Sequence, residues 1–139
     1  MEPIRLKYDV RNDDFSVAGE ASGKIKRTLK DLGLDASIVL NVAIAVYEGE
    51  INMVIHADGG IIDAEITPEK ITVVLADSGP GIPDVEKAMQ EGFSTAPENI
   101  RALGFGAGMG LPNIKKYSDE MKIETQIGTG TTITLGFNI

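Results

Sequence analysis

Apolar residues alternate with polar ones at Ile4, Leu6, Tyr8 and Val10, the two-residue period of a strand that buries one face. From Phe15 the period lengthens, and an amphipathic stretch through Ile25 and Leu29 predicts a helix capped by Asp13 or Asp14 and ended by Gly33. A second helix is predicted from Ala36 to about Ala57, because the apolar-rich run after Asp35 is too long for a strand and closes at Asp58-Gly59-Gly60. Ile61 to Ile66 and Ile71 to Ala76 read as two strands of a hairpin turned by Pro68-Glu69-Lys70. Beyond Asp77 the chain is glycine-rich, with a short helix expected from Pro83 to Gln90. Another helix is expected from near Gly110, ending before Met121. Strands Met121 to Gln126 and Thr131 to Phe137, around Gly128-Thr129-Gly130, complete the pattern.

This order predicts an α/β two-layer sandwich, a mixed sheet covered on one face by helices. The 139 residues suit one domain, 1–139, able to stand without disulfides or a structural metal. The absence of cysteine agrees, fits a reducing compartment and excludes thiol catalysis and thiolate zinc sites. Twenty-one acidic against 13 basic residues give a net charge of −8, which argues against nucleic-acid backbones and anionic membranes as partners. The apolar run from Ile38 to Tyr47 is about half the ~20 residues of a membrane span, and Met-Glu-Pro lacks the order of a signal peptide. A cytoplasmic protein is expected.

The glycines fall into two groups that suggest chemistry. Asp77-Ser78-Gly79-Pro80-Gly81 follows a strand, and Gly104-Phe105-Gly106-Ala107-Gly108-Met109-Gly110 precedes a helix. A glycine-rich turn feeding a helix aims free N–H groups and the positive end of the dipole at whatever lies ahead, and phosphate is the usual occupant. The familiar phosphate loops do not fit: Gly19-Glu20-Ala21-Ser22-Gly23-Lys24-Ile25 is one residue short of a P-loop and has Ile where the magnesium hydroxyl belongs. On the second helix Glu48 and Asn52 are four positions apart and share a face, where a carboxylate and an amide oxygen can hold a water and a hard cation. Glu50 cannot share that face. Gly49 between them is unfavourable in a helix interior and suggests the close approach of a ligand or a strand. His56, the one histidine, follows Asn52 by four positions and reads as a structural residue, as Lys115 and Lys116 read as a solvated pair.

With these motifs on their elements, the chain resembles the GHKL ATP-binding superfamily from roughly Leu40 to Leu135. An acidic residue followed four positions later by Asn matches Glu48 and Asn52. Asp-x-Gly-x-Gly matches Asp77, Gly79 and Gly81, Gly-x-Gly-x-Gly-Leu matches Gly106, Gly108, Gly110 and Leu111, and a final Gly-x-Gly-Thr matches Gly128, Gly130 and Thr131. The resemblance implies that Glu48 is the general base, that Asn52 ligates magnesium at the phosphates of ATP, and that Asp77, assisted by Thr131, receives the adenine amino group. It further implies that Gly79 and Gly81 admit the base and that Gly106, Gly108 and Gly110, with Leu111 behind them, form the phosphate lid. Glu91-Gly92-Phe93-Ser94-Thr95 and Gly108-Met109-Gly110-Leu111-Pro112 look most like the small serine/threonine kinases of bacterial partner-switching pathways. Their substrates are STAS-domain antagonist proteins.

Three functions stay open at this level: such a kinase, an anti-sigma factor that sequesters a sigma factor with ATP setting its conformation, and a nucleotide-binding or ATPase domain without a protein acceptor. Whether the chain forms a homodimer is open as well. No helical hairpin with a phosphoacceptor histidine precedes the ATP-binding motifs, which sets the chain apart from histidine kinases.

Overall fold

The computed structural model describes residues 3–10, 19–56, 59–79, 89 and 110–139, without the side chains of 55, 56 and 110. The elements are β1 (Ile4–Val10), α1 (Glu20–Asp31), α2 (Ala36–His56), β2 (Gly60–Ile66), β3 (Lys70–Asp77), α3 (Gly110–Tyr117), β4 (Glu120–Gln126) and β5 (Gly130–Asn138). The strands form one sheet in the order β1-β2-β3-β5-β4. The short helix expected between Pro83 and Gln90 lies outside the described residues.

The two-layer α/β architecture is as expected, but among the described residues every neighbouring strand pair is antiparallel, so the sheet they form is not mixed. The connections explain this. Between β1 and β2 the chain makes two helical passes, α1 and α2, and so returns in the opposite direction. β3 and β4 are separated by one helix among the described residues, but β5 folds back between them and keeps them from pairing.

α1 starts later than the sequence pattern suggests. Gly19, at φ +94°, is the residue before its first turn and accepts the first helical hydrogen bond, from Gly23 N at 2.9 Å. A left-handed residue cannot continue a helix, so Glu20 is the first helical position; Phe15 and its proposed caps lie outside the described residues. The end of α1 is as expected: Gly33 at φ +78° closes it, with Leu34 N on Leu29 O at 3.3 Å and Gly33 N on Lys30 O at 2.9 Å. α2 opens on Asp35, whose Oδ1 accepts from Ser37 N at 3.2 Å. The β2–β3 turn is held by Thr67, which bonds Lys70 through both its N–H, at 2.9 Å, and its hydroxyl.

One face of the sheet presents Ile62, Ala64, Ile66, Ile71, Val73, Leu75, Ile133, Leu135 and Phe137, all buried. Against it lie Ile25 and Leu29 of α1, Val39, Val42, Ala45, Val46 and Met53 of α2, and Leu111 and Ile114 of α3. α2 runs between α1 and α3 and is the central helix of that layer. By length and hydropathy its segment Ala36–Val54 could cross a membrane, yet half of it is buried within the fold, as befits a core helix.

Candidate active site

Successive residues of an α-helix point about 100° apart, so three in a row face three different neighbours. Glu48, Gly49 and Glu50 do so. Gly49 lies on the sheet, where an added Cβ would meet Leu75 Cδ2 of β3, a residue only 2% exposed. The glycine anomaly is thus the close approach of a strand. On one side of it Glu50 is 3% exposed, and its carboxylate accepts from Ser22 N at 3.0 Å and Ala21 N at 3.2 Å. These are the second and third residues of α1, whose glycine N-cap has no side chain to offer them. Glu50 is therefore occupied as a cap supplied from another helix.

On the other side Glu48 turns toward α3. It is half-buried, with the Asn113 side chain near its carboxylate. Burial raises its pKa above the ordinary carboxylate value, and the Asn113 side chain opposes that rise without cancelling it. Glu48 is consequently a stronger base than a solvated glutamate. Asn52, one turn on, is also half-buried and makes no hydrogen bond among the described residues. One amide oxygen completed by phosphate oxygens and waters is a donor set that suits Mg²⁺, which keeps most of its own water shell. Among the described residues no cluster of three or more His, Asp or Glu offers an all-protein cage instead.

The second half of the site lies at one end of four strands. Register pairs Gly60 with Asp77 and Asp77 with Thr131, while Thr131 is paired with Thr125. Asp77 Oδ1 accepts from Gly79 N at 2.9 Å and from Thr131 N at 3.1 Å. Two backbone N–H groups thus fix the carboxylate through one oxygen, and Oδ2 carries no hydrogen bond among the described residues. The buried Thr131 hydroxyl lies 2.9 Å from that of Thr125. Backbone closes in around Asp77: an added Cβ at Gly130, which has φ +144°, would meet the Asp77 carbonyl, and one at Gly60 would meet the Ala76 carbonyl and the Met53 side chain. Met53 is four residues after Gly49, so the stretch of α2 that bears Glu48 and Asn52 rests beside the end of β3 that bears Asp77.

Glu48, Asn52, Asp77, Gly79 and Thr131 therefore gather where α2 meets this end of the sheet. Gly110 is the first residue of α3, and Leu111, 8% exposed, is a core anchor of that helix. Gly81, Gly106 and Gly108 lie outside the described residues, as does the His56 side chain. Sequence reasoning missed Asn113, Thr125 and Gly60. Gly60 carried a signal, since it stands in a strand directly after a turn; nothing local marks the other two.

The chain belongs to the histidine kinase-like ATPase domain family, whose model it matches over residues 10–137. It is similar to the serine/threonine-protein kinase RsbT of Bacillus subtilis, 31% identical over 112 residues and 78% of each chain. It is 39% identical over 109 residues, 73% of each chain, to the anti-sigma F factor of Caldanaerobacter subterraneus. In fold it resembles the RsbU and RsbW domains of Rv1364c from Mycobacterium tuberculosis, with a TM-score of 0.65 at 17% identity, over 96% of this chain and 31% of that one. It is an ATP-using protein kinase of the partner-switching group.

Proposed function

We propose that this chain transfers the γ-phosphoryl group of Mg-ATP to a serine or threonine of a STAS-domain antagonist protein in the bacterial cytoplasm. The observation that carries the reading is Glu48, a half-buried carboxylate of raised basicity, set beside Asn52 at the strand end that bears Asp77.

Asp77 binds the base. Its two backbone donors hold Oδ1, leaving Oδ2 to accept the adenine amino group; an ionised carboxylate cannot donate, so it disfavours the carbonyl that guanine presents there. Thr131 adds a hydroxyl at the same edge. Asn52 would hold Mg²⁺, which supplies charge neutralisation at the phosphates. Glu48 accepts the proton of the attacking hydroxyl as its oxygen bonds to the γ-phosphorus and the bond to the β–γ bridging oxygen breaks, releasing ADP.

The test is incubation with γ-labelled ATP and the STAS-domain proteins of the same organism. Label on a serine or threonine is expected, and Glu48→Gln should reduce transfer by roughly 10²–10⁴ while ATP affinity stays within about threefold. Full activity in that variant would remove the base assignment. Similarity to the anti-sigma F factor favours a second act, retention of a sigma factor. ATP-dependent co-elution with sigma factors encoded alongside the gene tests it.

A further inference from the structure

We infer that Thr125 of β4 is a positioning residue for base recognition, one that fixes the direction in which the Thr131 hydroxyl gives its proton. The inference rests on the proposed adenine-binding role of Asp77 and Thr131 and concerns what gives that site its preference for an amino group. Asp77, Thr131 and Thr125 form one row across β3, β5 and the edge strand β4. They stand two residues from Leu75, Ile133 and Ile123, which pack into the core, so by the two-residue period of a strand all three side chains lie on the helix-covered face of the sheet. Contacts run along the whole row. Thr131 N donates to Asp77 Oδ1 at 3.1 Å, and the Thr131 hydroxyl lies 2.9 Å from that of Thr125.

Either hydroxyl could donate in that last contact, and the surroundings decide between them. Thr125 Oγ1 also lies 3.5 Å from the Gly130 carbonyl, which only accepts. If Thr125 gives its proton to Gly130 O, Thr131 gives its own to Thr125, and both protons have an acceptor. In the reverse arrangement the proton of Thr131, a residue 6% exposed, has no other acceptor among the described residues. Buried polar groups are paired in folded proteins, which favours the first arrangement. It leaves the Thr131 oxygen with lone pairs only, in the same row as Asp77, whose Oδ2 is likewise an acceptor. An edge of acceptors without a donor selects a ligand group that brings its own hydrogens, as the exocyclic amine of adenine does. Without the Thr125 hydroxyl, the Thr131 proton would turn toward the acceptors that the amine needs.

The experiment measures by calorimetry the affinities of Mg-ATP and of the magnesium complex of purine riboside triphosphate, which lacks the amino group, for the wild type, Thr125→Val and Thr125→Ser. Valine keeps the shape and strand preference of threonine without the hydroxyl, and serine keeps the hydroxyl. The wild type should prefer ATP. Thr125→Val should weaken ATP binding about fivefold with the affinity of the analogue within about twofold, and Thr125→Ser should recover most of the preference. Equal weakening of both nucleotides in Thr125→Val would make Thr125 a packing residue and overturn the inference. Should valine disturb the edge strand, Thr125→Ala carries the same comparison, since the ratio of the two affinities is read within one protein. If the wild type binds both nucleotides equally, the adenine reading of Asp77 fails; if the wild type prefers ATP and Thr125→Val keeps the full preference, only the present inference fails.

Discussion

Glu48 and Glu50 are the same residue type two positions apart, and the turn of the helix gives them opposite work. Glu50 has both carboxylate oxygens engaged by N–H donors at the N-terminus of α1, whereas Glu48 has a raised pKa. The raised pKa has a consequence for stability. The folded state holds the Glu48 proton more tightly than the unfolded chain does, so ionisation of this group opposes folding as pH rises from the ordinary carboxylate value through the raised one. Glu48→Gln, which removes the charge and keeps the shape, should therefore be more stable than the wild type at neutral pH. The advantage should vanish below the ordinary carboxylate value, where both states are protonated. Urea denaturation of the two proteins at acidic and neutral pH measures this, and a less stable variant at neutral pH would contradict the burial of the carboxylate.

At the scale of elements, the N-terminus of α1 depends on a residue of α2. Gly19 gives the backbone its left-handed entry but no cap, and Ser22 uses its hydroxyl on the Gly19 carbonyl at 3.0 Å. The Glu50 carboxylate supplies the missing acceptor, favoured further by the positive end of the helix dipole. Glu50→Ala should cost about 2–4 kcal/mol, from two charge-assisted bonds and the space left behind, and should speed hydrogen exchange at Ala21 and Ser22. Glu50→Gln, with one acceptor oxygen left, should lose roughly half as much. Where it remains folded, it should keep phosphoryl transfer, unlike Glu48→Gln. Loss of transfer in folded Glu50→Gln would shift the base to that residue.

For the whole molecule, the site lies where one end of the sheet meets the central helix, so nucleotide is expected to tie the sheet end to α2. A ligand that binds only the folded chain adds about 2.7 kcal/mol at a hundredfold excess over its Kd. Mg-ATP should raise the unfolding midpoint more than Mg-GTP does, and Asp77→Asn should narrow that difference, because an amide can also donate to a guanine carbonyl. Thermal unfolding with each nucleotide is the measurement. Equal shifts in the wild type would remove Asp77 from base recognition.

The sequence by itself determined most of the described elements and the two-layer arrangement. Alternation in Ile4 to Val10, the Gly33 stop and the Asp35 cap are local, and local backbone preferences decide them. The same holds for Glu48 and Asn52, whose spacing places them on one face of any helix. Only the tertiary structure decided what crosses between elements. The start of α1 at Glu20 follows from Gly19 and from a carboxylate 28 residues beyond Ser22. The antiparallel sheet follows from β5 inserting between β3 and β4. Gly49 acquired its reason from Leu75, and Asp77 its orientation from Thr131. Hydrophobic period and turn chemistry act over a few residues, while hydrogen bonds and close contacts between elements need only proximity in space, which leaves no mark on sequence spacing.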